Sequence, residues 1–248
     1  MGLDLNASAM QDPCARLTDV RFNSLVPARF VSRPNRFLLI ADVGRRRVPV
    51  ASRDPGRLEG ILVPGARLLL APSSTPGRRT AYTLVLARQG NAWVCLIPAL
   101  ASQIVHFAAA RGGLEGLKGA KVIQAEVPSG RSRIDFRMRY RGRDLLVEVK
   151  AAVFVEGRRA LFPDCPTVRG TRHVGELIAA RDRGQAAALL FVVHREDADR
   201  LSPWPSVDPD FARALRAADR RGVRLLAYTC RVTPQGVTLA RRIPVELE

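Results

Sequence analysis

Asp135, Glu148 and Lys150 are the residues of this 248-residue chain whose types and spacing point most directly to chemistry. Alternation along 133–140 puts Ile134, Phe136, Met138 and Tyr140 on one face of a strand and Asp135, Arg137 and Arg139 on the other. In 145–152 the same period sends Val147 and Val149 one way, Glu148 and Lys150 the other. Arg141-Gly142-Arg143 is a tight turn that makes the two segments a hairpin, so two carboxylates and an ammonium can converge where the polar faces coincide. Carboxylates held that close repel unless a cation neutralises them. Hard oxygen ligands with room for water and phosphate suit Mg2+, with Mn2+ as the alternative, and Asp135 and Glu148 are the expected ligands. Such an ion stabilises a phosphoryl group in transfer and acidifies a bound water, while Lys150 positions that water or neutralises the charge that develops. The chemistry expected is phosphodiester cleavage. The same spacing also fits a solvated strand face or a hairpin salt bridge, and spacing alone does not separate these readings.

The elements that would position these residues alternate between helix and strand. Residues 99–111 carry Leu100, Ile104, Val105, Phe107 and Ala108 at helical spacing and stop at Gly112-Gly113. Strands are expected over 121–127, 133–140 and 145–152. A helix follows from Thr167 to Arg183, ended by Gly184, and a buried strand over 187–193. Asp208-Pro209 is an N-cap followed by a proline at the first helical position, with Phe211, Leu215 and Ala218 as the buried face and Gly222 as the stop. Residues 223–232 are expected to be the last substantial strand. The order α-β-β-β-α-β-α-β is satisfied by a mixed sheet with helices on both faces. His173 lies on the second helix with Glu176 one turn later; it reads either as a surface or capping histidine or as an accessory group at the acidic site.

Upstream, apolar runs at 37–43, 48–51, 67–71 and 80–87 are separated by glycine, proline and serine, a texture of short strands that fits a small barrel or a small sandwich. The fold class expected is therefore α/β, or α+β overall: residues 1–17 a flexible tail, 18–95 a small β-barrel and 96–248 the mixed-sheet domain. Net charge is +17, which favours a polyanionic partner, although only Lys118, Lys121 and Lys150 are lysine and the arginine excess also matches a biased base composition. Arg33, Arg36, Arg45, Arg46, Arg47, Arg78 and Arg79 in the barrel, with Phe37, Tyr82 and Trp93, form a mixture suited to phosphate contacts and base stacking; Arg133 and Arg169 would add to it near the acidic site. The alternative is that the aromatics are core and the arginines ordinary surface. Cys14, Cys95, Cys165 and Cys230 show neither zinc spacing nor a disulfide framework, and no secretory leader or membrane-length apolar run is present, which leads to the expectation of a reduced, cytoplasmic protein without membrane contact.

Asp135 followed by Glu148-Val-Lys150 on adjoining strands resembles the signature of the PD-(D/E)xK nuclease-like superfamily. More narrowly, Ser132-Arg-Ile-Asp-Phe136, Val147-Glu-Val-Lys150, Phe162-Pro-Asp164, Thr167 with Arg169-Gly170, His173 with Glu176-Leu177, and Gly222-Val223 with Leu226-Ala-Tyr228 resemble the sugar fermentation stimulation protein family, SfsA. The resemblance runs from about Pro27 to Pro244. It implies an OB-like barrel that binds nucleic acid, joined to a restriction-endonuclease-like domain, with DNA as the expected partner, RNA as the alternative, and metal-dependent nuclease activity. Position by position, Glu126 matches the upstream acidic residue, Asp135, Glu148 and Lys150 the core site, and His173 the accessory position. The chain departs from the family where relatives read approximately His-Cys-Pro-Asn-Thr-Gly and this one reads Ala51-Ser-Arg-Asp-Pro-Gly56. It departs again at Ile97-Pro98 and Ser102, in place of asparagine-containing sequence, and at Val168 in place of an acid. Two functions follow as expectations: a Mg2+-dependent nuclease, or a non-catalytic nucleic-acid-binding regulator of sugar metabolism genes that keeps the fold. Oligomeric state is open, a homodimer included. An enzyme acting on small phosphorylated sugars finds no phosphate-cradling glycine loop here.

Overall fold

The structure is a computed structural model that describes residues 19–73, 79–130 and 132–248. The expected tail 1–17 with its Cys14, most of the turn over 72–77, and Arg78 lie outside the described residues. After a short strand β1 (Val20–Arg21), six strands follow: β2 (Val26–Asn35), β3 (Leu38–Val43), β4 (Arg46–Ala51), β5 (Arg67–Pro72), β6 (Tyr82–Gln89) and β7 (Ala92–Cys95). Their order is β4-β3-β2-β5-β6-β7, and a parallel pairing of Val50 with Tyr82 and Ala51 with Thr83 brings β4 onto β6. That pairing closes the sheet, so the architecture is an OB-like barrel and not a sandwich. Leu39, Val50, Leu68, Leu70, Leu84 and Val94 point inward with no more than 1% exposure, which is what closure does for edges that would otherwise stay unpaired. Strand β2 was not legible because Pro27 and Pro34 interrupt it and remove donors.

The second half contains α1 (Leu100–Ala110), β8 (Lys121–Ser129), β9 (Ser132–Tyr140), β10 (Arg143–Ala152), β11 (Val155–Glu156), β12 (Arg159–Phe162), α2 (Val168–Asp182), β13 (Ala186–Val193), β14 (Arg200–Pro203), α3 (Pro209–Arg220), β15 (Arg224–Thr233) and β16 (Gly236–Ile243). Seven strands form a mixed sheet in the order β1-β16-β15-β13-β10-β9-β8, parallel at β10-β13-β15 and antiparallel elsewhere. Helix α1 buries Leu100, Ile104, Val105 and Ala108 in one cluster with Val147, Leu190 and Tyr228. Helices α2 and α3 bury Val174, Leu177, Phe211 and Leu215 in another with Leu189 and Phe191. Core on both faces is why β13 reads as an unbroken apolar run.

Several expectations change. β16 follows the strand taken to be the last; exposed Arg241 and Arg242 broke its apolar alternation. β1, within the segment assigned to the barrel, pairs with β16 at the edge of the second sheet. Phe107, expected on the buried face of α1, is 48% exposed, because that face centres on residues 101, 104, 105 and 108. A small sheet, β11-β12-β14, had no sequence signal.

The helix that carries His173 is held at its start by two caps in series. The Thr167 hydroxyl accepts from Gly170 N at 3.0 Å, and the buried Asp208 carboxylate accepts from Thr167 N at 2.7 Å and from Phe211 N at 2.9 Å, capping α3 as well. Asp208→Ala is expected to cost about 2 kcal/mol, more than the roughly 1 kcal/mol of Thr167→Ala, because it strands two backbone amides, that of Phe211 buried, instead of one. Urea midpoints of the two variants check the order.

Candidate active site at the splayed end of a hairpin

The β9–β10 ladder is in register from Arg143 opposite Tyr140 to Val147 opposite Phe136 and stops there, while β10 continues alongside β13. The turn is a two-residue loop in which Arg141 and Gly142 have φ of +49° and +75°, the left-handed pair that matches strand twist. Continued by one rung, this register would set Asp135 opposite Glu148. Instead the Asp135 side chain takes over from the backbone: its Oδ2 accepts from Val149 N at 2.8 Å and its Oδ1 from Ser102 Oγ at 2.8 Å. Beyond that point the hairpin of β8 and β9 curls. Ile134 packs in the α2 cluster while Phe136 and Met138 pack in the α1 cluster, and Glu126 across from the turn-over has φ of +53°.

Glu148 is 2% exposed. Its Oε1 accepts from Lys150 Nζ at 2.6 Å and meets His173 Nδ1 from α2, whereas its Oε2 is buried without a hydrogen-bond partner. His173 Nε2 receives the Arg169 Nε–H at 3.3 Å. An arginine nitrogen is always a donor, so Nε2 must be the acceptor and the imidazole proton sits on Nδ1, directed at Glu148. Burial, then the Lys150 and Arg169 charges, push the His173 pKa down to about 4, so the ring is neutral at neutral pH. Burial, then the Glu148 carboxylate, hold Asp135 above the ordinary aspartate range, against the pull of Val149 N, Ser102 and Lys150. The two acids therefore feel each other.

Of the residues expected at the site, Asp135, Glu148, Lys150 and His173 come together, and Arg169 reaches them through His173. Glu126 is exposed on β8 and makes no hydrogen bond or ion pair with that group. Ser102 was noted only as a departure from the family pattern; its hydroxyl supplies the donor that steadies Asp135. Among the described residues no group of three or more His, Cys, Asp or Glu is arranged to hold a metal. An ion here would have two protein carboxylates and complete its shell with water and phosphate oxygens, the usual habit of Mg2+. Glu148 Oε2 is the open lone-pair donor in that set.

The arginines divide. Arg33 spans the barrel loop, donating to the carbonyls of Gly56, Arg57, Arg36 and Asp54 at 2.7–2.9 Å, so it staples that loop. Arg47 is paired with Asp42. Arg36, Arg45, Arg46, Arg79 and Arg133 are exposed. Phe37, beside Arg36, is 61% exposed, while Tyr82 and Trp93 are half-buried against the cores and Arg88 lies over the Trp93 ring. Of the three aromatics, Phe37 alone is free to stack on a base.

A closed barrel of OB type followed by a restriction-endonuclease-like mixed sheet with an acidic cluster at its splayed hairpin defines a two-part class of protein. Residues 31–96 match the SfsA N-terminal OB domain and residues 99–236 the sugar fermentation stimulation protein RE domain. The chain belongs to the sugar fermentation stimulation protein (SfsA) family. It is 42% identical over 226 residues, 90% of this chain and 97% of the other, to the sugar fermentation stimulation protein homolog of Moorella thermoacetica. Identity is also 42% over 221 residues, 89% of this chain and 85% of the relative, with the homolog of Chloroflexus aurantiacus. The solved structure of Pyrococcus furiosus SfsA in complex with Ca2+ is similar at a TM-score of 0.84 and 27% identity, covering 93% of this chain and 99% of that one. Among the described residues no helix is long and apolar enough to cross a membrane.

Proposed function

We propose that this protein is a DNA-binding, Mg2+-dependent nuclease of the PD-(D/E)xK type, with the barrel and the basic surface gripping the phosphate backbone and Asp135, Glu148 and Lys150 forming the reaction centre. The observation that carries this reading is the buried Glu148 carboxylate, with one oxygen held by Lys150 and His173, the other without a hydrogen-bond partner, and its charge felt by Asp135. Asp135 and Glu148 would hold the ion. When bound, Mg2+ supplies neutralisation of the phosphoryl oxygens and a more acidic water. The chain's own residues do the rest. Ser102 and Val149 N fix the Asp135 carboxylate, and neutral His173 fixes Glu148 through the Nδ1 proton. Lys150, its side chain 14% exposed, keeps its ammonium at the edge of the cluster, where it neutralises charge on the phosphate as the water–phosphorus bond forms and the ester P–O bond breaks. The Ca2+ of the Pyrococcus furiosus structure supports a cation-binding fold, and the three described cysteines, all free, fit a cytoplasmic setting.

Incubation of the purified protein with single-stranded DNA, duplex DNA and RNA, each with Mg2+, Mn2+ or EDTA, tests the proposal. Cleavage that requires the metal is expected. Nucleic acid that is bound in a salt-dependent way but left intact in every metal would instead select the non-catalytic regulator. The observation favouring that second reading is Val168, 83% exposed at the first turn of α2 where the family places an acid.

A further inference from the structure

On the α2 side of the hairpin, further along the strands from the acidic cluster, lies a pocket of about 350 Å3 lined by Ser129 and Gly130 of the β8–β9 turn, Arg137, Asp144, and Arg183 and Gln185 beyond the end of α2. Arg137 is two residues from Asp135 along β9, and Leu146, its partner across the ladder, is two residues from Glu148. At the strand rise, the pocket starts roughly 7 Å from the site, a distance an extended nucleic-acid strand covers in about one nucleotide. The charges in it are uneven. Asp144, the pocket's one carboxylate, is already paired with Arg139 at 3.3 Å. Arg137 gives one nitrogen to Gln124 at 2.8 Å, and its Nε is buried without a partner. Arg183 is exposed and makes no ion pair among the described residues. Glu176 closes the rim: its carboxylate lies over Gly130, where a Cβ would collide with it, and it accepts from Ser129 Oγ.

We infer that this pocket is an anion subsite in which Arg137 and Arg183 take the phosphodiester one nucleotide along the strand from the one at Asp135 and Glu148. The inference rests on the nucleic-acid reading of the site and adds where the strand leaves it. Two guanidinium groups that line one polar cavity, neither of them in an ion pair among the described residues, offer the planar N–H forks that phosphate oxygens accept. Gln185 stands at the wall as a neutral donor. Neither arginine was singled out by the sequence as a nucleic-acid contact. Arg137 entered only as a neighbour of Asp135 on a polar face, and Arg183 as the end of a helix.

The experiment measures binding of a fluorescent single-stranded decamer in EDTA, so that no cleavage intervenes, over a series of salt concentrations. Three proteins are compared: the wild type, Arg183→Gln and the double variant Arg137→Gln/Arg183→Gln. Each lost phosphate contact removes about 0.7 from the slope of log affinity against log salt on a single strand. The single variant should therefore fall by about 0.7 and the double by about 1.4, and inorganic phosphate should compete less well against the decamer in the double variant. Arg137→Lys in the Arg183→Gln background should keep most of the slope that Arg137→Gln loses, which separates charge from fold. Slopes unchanged in Arg183→Gln and in the double variant, or a wild type that does not bind the decamer, overturn the subsite. Because the readout is binding, the two claims fail separately: a wild type that never cuts but loses slope with these arginines keeps the subsite and rejects the nuclease. Metal-dependent cutting with unchanged slopes does the reverse.

Discussion

Glu148→Gln is expected to lower metal-dependent cleavage on the order of a thousandfold while leaving the protein folded and its affinity for nucleic acid in EDTA nearly unchanged. Glutamine has the same shape and offers a carbonyl oxygen where Glu148 Oε1 now accepts from Lys150 and meets the Nδ1 proton of His173, so both contacts can persist. What disappears is the negative charge and the open Oε2, whose place is taken by an amide that donates and cannot coordinate. The loss should therefore fall on the step that needs the ion and not on ground-state binding, so kcat drops and KM stays. Asp135→Asn should follow in the same direction, with a further penalty. One Asp135 oxygen accepts from Val149 N, and an asparagine that keeps this bond turns its amide toward Ser102. Gel assays of the wild type and both variants at matched concentration, with circular dichroism to confirm folding, give the answer. Equal cutting by wild type and Glu148→Gln would assign the activity to a contaminant and end the catalytic reading.

The hairpin at the centre of that argument was legible because strand alternation and a two-residue turn are local. Once Arg141-Gly142 sets the register, which residues of β9 and β10 face each other follows, and the caps at Thr167 and Asp208 mark α2 and α3 to within a residue. What was not legible depends on how separate elements cross. That His173 meets Glu148 is a consequence of where α2 lies on the sheet, which helical periodicity does not specify. Ser102 reaches Asp135 from a different helix, 33 residues upstream. Arg33 read as a phosphate contact because arginine composition shows charge but not commitment, and four backbone carbonyls claim its guanidinium. β16 was hidden because two exposed arginines break the apolar run on an edge-side strand whose pairing is supplied by β15 and β1. Local rules therefore reached the acidic pair and its lysine; the residues that orient them needed the tertiary packing.

The junction between barrel and sheet gives the last expectation, that replacing Asp54 by asparagine stabilises the protein at pH 8 by about 3 kcal/mol and not at all near pH 4. Asp54, 5% exposed, sits in the barrel loop and accepts from Gly56 N at 2.8 Å. Gly56 is pressed against Asp164 of the second domain so closely that a Cβ would lie 2.1 Å from Asp164 Oδ2. The two carboxylates thus share a small cavity of about 150 Å3 with Cys165 and Pro163, and Arg33 is the one cation among the charged groups acting on Asp54. Burial raises the Asp54 pKa from 3.8 to about 6; Asp164 adds to the rise, and Gly56 N and Arg33 oppose it. Burial raises Asp164 as well. A carboxyl whose pKa is higher folded than unfolded binds its proton more tightly in the native state, so its contribution is complete below about pH 4 and is lost as the pH climbs through about 6. A shift of about two units is worth roughly 3 kcal/mol, and all of it is lost by pH 8. Asparagine can keep the bond from Gly56 N through its carbonyl and has no proton to lose, so its stability should not carry this slope. The comparison that matters is the difference between wild type and Asp54→Asn at each pH, because arginine-paired acids elsewhere, such as Asp199 with Arg158, give both proteins the opposite acid dependence. Denaturant titrations at pH 4.5, 6 and 8 should show that difference opening with pH in favour of the variant; a constant difference would mean that Asp54 is ionised in the folded protein throughout and that the junction tolerates its charge.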